Sequence, residues 1–189
     1  MIEKKIYEKI KLFVGLGNFK DCFKKTRHNF GFIAIDEIAK VKNINFTNWK
    51  NIAYVTSYTS NGIKKWLLKP KTFMNNSGYA VKFFIDYYKI KPEEIIVLYD
   101  DVSIPFGKYK LKTKIKHKTN SFGRHNGIMS LIKNIHSHSF LRMKLGIGPL
   151  PKDFELANFV LSKFSENENR QLILIRKIII DIFNKINTI

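Results

Sequence analysis

The sequence predicts an α/β fold in which one mixed, mostly parallel twisted sheet is flanked by helices. Strand-like and helix-like segments alternate along the chain, apart from one early hairpin. The run from Ile95 to Tyr99 is continuously apolar, which is typical of a central strand buried on both faces. The chain has 189 residues with no internal repeat and no low-complexity linker, so we expect a single domain over 1–189 that begins with a polar leader at 1–11.

The individual elements follow from hydrophobic periodicity and from turn residues. The predicted strands lie at 12–17, 52–59, 63–68, 95–99 and 141–148. Asn61-Gly62 predicts a tight hairpin turn between two of them. The predicted helices lie at 30–41, at 78–89, at about 128–136 and after a capping box at 165–168. We expect the Asn and Ser side chains at 75–77 to cap the second helix.

The charge is strongly unbalanced towards positive side chains. The chain has 34 Lys and Arg residues against 15 Asp and Glu residues, a formal net charge of +19. Such an excess favours a polyanionic partner, with nucleic acid ahead of an anionic membrane surface. Because codon bias can also raise the lysine content, the placement of the lysines has to decide between these interpretations.

Cysteine content and hydropathy indicate the compartment. Cys22 is the only cysteine, so an intrachain disulfide is excluded and a reducing compartment is favoured. No uninterrupted apolar run reaches the roughly 18 residues that a membrane span needs, and the charged start lacks the apolar region of a secretory signal. We therefore expect a soluble cytoplasmic protein without a membrane partner.

Polar side chains follow the first strand and the central strand. Asn18 closes the glycine turn after the first strand, and a basic loop then brings His28 to the start of the next helix. Because ligands bind at the carboxyl ends of strands in such sheets, we expect Asn18 and His28 to face one site. Asp100-Asp101 ends the central strand, and a histidine that acts as a general base needs a carboxylate on its far nitrogen.

Other site chemistries remain open at this point. The turn Gly15-Leu16-Gly17 is compatible with dinucleotide binding, although Lys20 replaces the third glycine of that motif. Cys22 lies beside two lysines and could act as a nucleophile paired with His28. We predict no metal site, because metal-ligand spacing is lacking at the remaining histidines, His117, His125, His136 and His138.

Lysines alternate with other residues in the segment 107–119. The six lysines lie at 108, 110, 112, 114, 116 and 118, and a period of two places them on one face of a strand. One alternative is that these lysines lie on a solvated edge strand and prevent aggregation between sheets, without binding a ligand. Six in register exceed that need, so we favour a phosphate-binding face.

Six short blocks follow one another along the chain: VGLGN at 14–18, TRHNFGF at 26–32, KPKTFMNNSG at 69–78, IIVLYDDVSIPFG at 95–107, GRHNG at 123–127 and LGIG at 145–148. Together they resemble the bacterial-type peptidyl-tRNA hydrolase family, over about residues 12–188. That family cleaves the ester between a peptide's terminal carbonyl and the 3′ ribose of tRNA. The resemblance implies a monomer whose partner is peptidyl-tRNA, with no cofactor and no metal.

The resemblance also implies roles for single residues. His28 matches the base that activates the attacking water, Asp100 its carboxylate partner, and Asn18 the amide that holds the substrate near the scissile bond. A neutral amide there favours N-blocked over free aminoacyl esters. The positions that match substrate or tRNA contacts are Phe23, Phe73, Asn75, Asn126, Lys112 and Lys144.

The chain departs from the family pattern at several positions. Phe19-Lys20 stands where Pro-Gly is usual, Phe23 replaces a tyrosine, and Ser103 replaces a second acid. A lysine-rich connector also replaces a glycine-rich one, and Lys144 stands where an arginine is frequent. Lysine offers phosphate a point charge rather than a bidentate fork. The alternative function is a non-catalytic RNA-binding protein of the same fold.

Overall fold

The computed structural model describes residues 7–112 and 125–187. The strands are β1 (Leu12–Gly15), β2 (Thr47–Trp49), β3 (Ala53–Ser60), β4 (Ile63–Pro70), β5 (Ile95–Pro105), β6 (Tyr109–Lys112) and β7 (Leu141–Gly148). The helices are α1 (Phe30–Val41), α2 (Ser77–Tyr88), α3 (Asn126–Ile135), α4 (Leu156–Leu161) and α5 (Glu166–Asn187). None of the helices in the described part of the chain combines the length and the hydropathy that a membrane span requires.

All of these strands belong to one seven-stranded sheet in the order β2-β3-β4-β1-β5-β7-β6. The central strands β4, β1, β5 and β7 pair in parallel. The outer pairings, β2 with β3, β3 with β4 and β6 with β7, are antiparallel. The predicted α/β fold with a mixed sheet is confirmed, and its parallel part is the centre, where the carboxyl ends of the strands share one edge.

Most predicted elements are present with shifted ends. β5 extends from the apolar run to Pro105, so Asp100 and Asp101 lie within the strand rather than after it. Two short elements, β2 with three residues and α4 with six, were not predicted. Such short elements carry too few residues for a periodic pattern to be recognised.

The local turn and cap predictions are confirmed in part. Asn61 and Gly62 have positive φ angles of 51° and 73°, as a two-residue hairpin turn requires. The capping box before α5 is present, since the Ser165 N–H donates to Glu168 at 2.6 Å and the Glu168 N–H donates to Ser165 at 3.3 Å. The predicted cap of α2 is wrong, because its N-cap residue Asn76 makes no side-chain cap bond.

The predicted lysine face is described only in part. β6 is four residues long and carries Lys110 and Lys112, while Lys108 precedes it outside the strand. The prediction that Lys108 belongs to the strand is therefore wrong. Lys114, Lys116 and Lys118 lie outside the described residues, and so does His117.

Both faces of the sheet are packed, which accounts for the continuous apolar run of β5. Ile96 and Leu98 join one core cluster together with residues of α1 and α5. Val97 and Tyr99 join a second cluster together with residues of α2 and α3. Alternate residues of β5 thus enter opposite cores, as expected of a central strand.

Candidate active site

His28 and Asp100 meet at the carboxyl end of the central strands. The Nδ1 atom of His28 lies 3.1 Å from Oδ1 and 3.0 Å from Oδ2 of Asp100. The side chains are only 12% and 3% exposed, respectively. Two side chains from separate sequence motifs therefore form one largely buried hydrogen-bonded pair.

A close approach between α1 and the sheet brings His28 to this position. His28 lies in a 3₁₀ turn that leads directly into α1. A Cβ atom on Gly31 would lie 2.3 Å from the Leu98 carbonyl oxygen, and one on Gly15 would lie 2.4 Å from the Gly31 carbonyl oxygen. Only glycine permits such contact between backbones, so the two glycines let the turn with His28 reach the end of β5.

A second imidazole, that of His125, also binds Asp100. Its Nε2 atom lies 3.1 Å from Asp100 Oδ1, and its side chain is 8% exposed. Its Nδ1 atom accepts a hydrogen bond from the Ile128 N–H at 3.4 Å, which assigns the proton to Nε2 and makes that nitrogen the donor to Asp100. His125 was considered from the sequence only as a metal ligand, and its contact with Asp100 was not predicted. Its place beside Asn126 in the GRHNG block was the available signal.

The two imidazoles determine the charge state of Asp100. Burial by itself would raise the pKa of this carboxyl, but the adjacent His125 and His28 outweigh burial and hold its pKa well below its usual range. Asp100 is therefore ionised at neutral pH. An ionised carboxylate with two imidazole partners has its oxygens committed to hydrogen bonds that orient both rings.

Asn18 is fixed by hydrogen bonds on its backbone and on its side chain. The Asn18 N–H donates to Asn29 Oδ1 at 2.8 Å, and Asn29 Nδ2 donates to the Asn18 carbonyl at 2.9 Å. The Asn18 Oδ1 atom accepts from the Met74 N–H at 2.8 Å. Its NH₂ group donates to no residue in the described part of the chain, so it is available as a donor.

Asn18 and His28 are connected through Asn29 rather than by direct contact. Asn18 lines a cavity of about 290 Å³ that also contains Phe19, Asn29 and Lys69. His28 lines a different cavity of about 210 Å³. The expectation that Asn18 and His28 face one site stays a prediction. His28 and Asn29, which binds the Asn18 N–H, are neighbours in one turn.

The cavity at His28 has polar and apolar walls. Asp100, His125 and Asn126 line its polar side. Its apolar side is formed by Leu156, Ala157 and Val160, all from α4. Asn126 is the first residue of α3 and also lines the cavity, and its contact with substrate stays a prediction. The contribution of α4 was not foreseen because that helix was itself not predicted.

Arg27 ties α4 to the turn that carries His28. Its guanidinium donates to Ser162 Oγ and to the Lys163 carbonyl, both at 2.6 Å, and to Glu168 at 2.6 Å. It also lies 4.5 Å from the ring centroid of Phe159. Because Arg27 is adjacent to His28 in the chain, these contacts fix the apolar wall of the cavity relative to the imidazole.

Three further predicted contact residues lie away from this cavity. Phe73 is 43% exposed and packs edge-on against Phe19 at 5.5 Å, and Lys20 Nζ lies 5.1 Å from the Phe73 ring. Phe19 and Lys20, which stand where Pro-Gly is usual in the family, thus pack against Phe73, a residue predicted to contact substrate. Asn75 lines a third cavity, of about 500 Å³. Phe23 is half-buried in a 3₁₀ turn.

Lys112 and Lys144 lie on one face of the paired strands β6 and β7. The register places Lys110 opposite Lys144 and Lys112 opposite Arg142, and directly opposed residues share a face. Lys144 Nζ lies 2.6 Å from Asp101 Oδ2, so its charge is already paired. Lys112 is exposed, with no acidic partner in the described part of the chain.

Ser103 takes a defined role beside this ion pair. Its N–H and its hydroxyl both donate to Asp101 Oδ1, at 2.8 Å and 2.5 Å. Burial would raise the pKa of Asp101, but the bonds from Lys144 and Ser103 lower it. Ser103 therefore orients the Asp101 carboxylate, and Asp101 in turn pairs with Lys144.

Two alternatives from the sequence analysis concern His28 directly. The ligand atoms of His28, Asp100 and His125 lie within 4.8 Å of one another, an arrangement that could accept a metal ion. The absence of a metal therefore stays a prediction. Cys22 is exposed, and none of the cavities described here contains it together with His28.

Comparisons with known proteins identify the family of the chain. Residues 12–188 match the family model described as peptidyl-tRNA hydrolase. The chain is 41% identical over 157 residues to a peptidyl-tRNA hydrolase of Lachnoclostridium phytofermentans, covering 83% of this chain and 80% of that one. It is 40% identical over 163 residues to a peptidyl-tRNA hydrolase of Elusimicrobium minutum, covering 86% of this chain and 84% of that one.

Solved structures show the same likeness. The crystal structure of peptidyl-tRNA hydrolase from Acinetobacter baumannii matches with a TM-score of 0.77 and 30% identity, and 95% of each chain is covered. A peptidyl-tRNA hydrolase in complex with N-propanol matches with a TM-score of 0.78, at the same identity and coverage. The family model and the relatives cover most of the chain, and the chain therefore belongs to the peptidyl-tRNA hydrolase family.

Proposed function

We propose that this protein hydrolyses the ester between peptide and tRNA in peptidyl-tRNA, with His28 as the general base. The observation that carries the proposal is the contact of His28 Nδ1 with the ionised Asp100 at 3.0 Å. A carboxylate on Nδ1 holds the proton there and leaves the lone pair on Nε2. The base is thus preformed on the nitrogen opposite the carboxylate.

The reaction follows from this tautomer. Nε2 of His28 takes a proton from a water molecule while the water oxygen attacks the ester carbonyl carbon. Asp100 stabilises the imidazolium that forms. The tetrahedral intermediate then collapses, the ester C–O bond breaks, and the proton passes to the departing 3′ oxygen of the ribose. A positioned general base of this kind contributes about 10²–10⁴-fold to the rate.

Neutral amides are the proposed contacts to the peptide. The side-chain Oδ1 atom of Asn18 accepts a hydrogen bond from the Met74 N–H, so the side-chain NH₂ group is the part that can donate to a substrate carbonyl. Asn126 lines the cavity with His28 and is the second candidate, with Asn75 further out. A free α-ammonium group would be costly to desolvate against such groups, so an N-blocked ester is the preferred substrate.

The tRNA is the proposed partner of the exposed lysines of β6. Lys112 is exposed and on the same face as Lys144, so Lys112 is the primary phosphate contact and Lys144 a weaker one. Phe23 and Phe73 are the candidate stacking contacts. A function in tRNA recycling places the protein in the cytoplasm, where we expect it to act as a monomer.

The decisive experiment is a turnover assay with N-acetyl-aminoacyl-tRNA. The wild-type protein is expected to release the blocked amino acid, to act far more slowly on free aminoacyl-tRNA, and to need no added cofactor. His28→Ala should lower kcat by about 10²–10⁴-fold while retaining tRNA binding. Retention of tRNA on a filter without cleavage by the wild-type protein would instead identify a non-catalytic RNA-binding protein.

A further inference from the structure

The outer face of α2 carries a row of exposed aromatic rings. Tyr79, Phe83 and Tyr87 are 56%, 41% and 56% exposed. Their spacing of four residues places them one above another on the same side of the helix. The solvent face of a helix normally carries polar side chains, so three exposed rings in register call for an explanation. We name this row, together with Trp49 and Lys50, the aromatic stripe.

Trp49, the last residue of β2, and Lys50, in the turn that follows, lie beside this row. The Trp49 ring lies 5.7 Å from Phe83 and 5.6 Å from Tyr87, edge-on to both. Lys50 Nζ lies 4.3 Å from the centroid of Tyr87 and 5.4 Å from that of Phe83. Lys50 and Asn51 both have left-handed φ angles, of 48° and 59°, so the turn adopts an uncommon conformation that places the cation over the rings.

The aromatic stripe adjoins Asn75, a proposed substrate contact, at the N-terminal end of α2. Tyr79 lines the cavity of about 500 Å³ that also contains Asn75 and Lys133. Lys133 is exposed and has no acidic partner in the described part of the chain. The stripe is therefore continuous with the region around Asn75, and a cation lies at that end as well.

The combination of rings and cations identifies the class of ligand. We propose that the aromatic stripe binds an unpaired RNA strand, with bases stacked on Tyr79, Phe83 and Tyr87 and phosphates near Lys50 and Lys133. Every base offers a flat face to an aromatic ring, so such a surface needs no particular sequence. The net charge of +19 favours the same polyanion.

Length and charge agree with this occupant. Tyr87 follows Tyr79 by eight positions, a rise of about 12 Å along the helix, which matches about three to four steps at the roughly 3.4 Å spacing of a stacked strand. Asp86 is the acid on this side of α2, and Lys82 pairs with it. An apolar peptide would use the rings but would gain nothing from the flanking cations.

The test measures binding of a fluorescein-labelled, unstructured RNA of roughly eight nucleotides by anisotropy at low salt. All proteins carry Lys112→Ala, which removes the tRNA contact proposed above, so that failure here and failure of the proposed hydrolysis remain distinguishable. Phe83→Ala and Tyr79→Ala should each weaken binding by about fivefold to a hundredfold. Tyr79→Phe keeps the ring and should bind like the parent.

The matched control is Phe154→Ala, which removes a ring that is 49% exposed on another part of the surface, and it should leave RNA affinity unchanged. Unchanged affinity in both Phe83→Ala and Tyr79→Ala would overturn the proposal. So would displacement of the RNA by an apolar peptide, or a dimer of the parent protein that Phe83→Ala converts to monomer, because these outcomes assign the stripe to a peptide or to a second copy.

Discussion

The buried centre at Asp100 and the exposed lysine Lys112 handle charge in opposite ways. The Asp100 carboxylate is 3% exposed and is bound by two imidazoles at 3.0–3.1 Å. Lys112 is exposed and has no acidic partner in the described part of the chain. A buried charge must be paired where it lies, whereas an exposed cation is solvated and is free to meet a mobile polyanion.

This difference predicts which kinetic constant each region controls. Changes at the buried centre alter the geometry of the reacting groups and should appear in kcat. Changes at exposed lysines remove attraction that substrate and transition state share, and should appear in KM and in its dependence on salt. The substitutions at Asp100, His125 and Lys112 test that division, and those at Arg27 and Arg176 test the difference between buried and exposed charges in stability.

The largest effect is expected for Asp100→Asn. An amide can donate to Nδ1 and so favour the tautomer with the proton on Nε2, which leaves no lone pair to accept a proton from water. The comparable change in a Ser-His-Asp triad costs about 10⁴-fold in kcat, and we expect a loss of 10²–10⁴-fold here, with KM nearly unchanged. Single-turnover rates on N-acetyl-aminoacyl-tRNA measure it. A loss confined to KM would contradict the assignment.

Arg27 tests how much the loss of one partner in a buried ion pair lowers the free energy of unfolding. Arg27→Met leaves Glu168 without its guanidinium and should lower the free energy of unfolding by about 3 kcal/mol, measured by urea denaturation. The matched control is Arg176→Met, because Arg176 pairs with Glu37 at 3.1 Å but is 42% exposed. That change should cost under about 1 kcal/mol. Equal losses in the two variants would remove the contrast between buried and exposed charges.

His125→Phe keeps a ring but removes one hydrogen-bond donor to Asp100. Because His28 still binds the carboxylate, we expect kcat to fall by only about tenfold, equivalent to about 1.4 kcal/mol, with little change in KM. His138→Ala removes an exposed histidine and serves as the control. A loss as large as that of Asp100→Asn would mean that His125, rather than His28, is the main partner of the carboxylate.

The smallest effect is expected at the exposed surface. Lys112→Ala should raise KM a few-fold and reduce the slope of log KM against log salt by about 1, with kcat unchanged. Lys40→Ala, on the exposed side of α1, is the matched control and should leave the salt slope as it is. A salt slope that does not change in Lys112→Ala would exclude Lys112 from phosphate binding.

The sequence predicted those features that depend on local pattern. Alternation of apolar runs predicted most strands and the α/β class, and Asn61-Gly62 predicted the hairpin, because each depends on neighbouring residues alone. The segments that were missed, β2 and α4, are short and are stabilised by tertiary packing, such as that of Trp49 against Phe84 at 5.0 Å. Periodicity carries no information about such contacts.

In the candidate site, too, local motifs predicted some residues, whereas others depend on tertiary packing. His28 and Asp100 were singled out because an imidazole and a carboxylate near strand ends suggest catalysis, and the structure places them in contact. His125 was missed because its sequence context was weighed only for metal binding, whereas its role depends on tertiary contact with Asp100 and on the N–H of Ile128. The separation of Asn18 and His28 into two cavities also depends on side-chain packing that no motif encodes.

The most direct test of the central claim is a double-mutant cycle between His28 and Asp100. Single-turnover rates on N-acetyl-aminoacyl-tRNA are compared for the wild type, His28→Ala, Asp100→Asn and the double variant. If Asp100 acts only through the imidazole, the double variant should be no slower than His28→Ala. Losses that multiply in the double variant would show that the two side chains act independently, and would contradict the account.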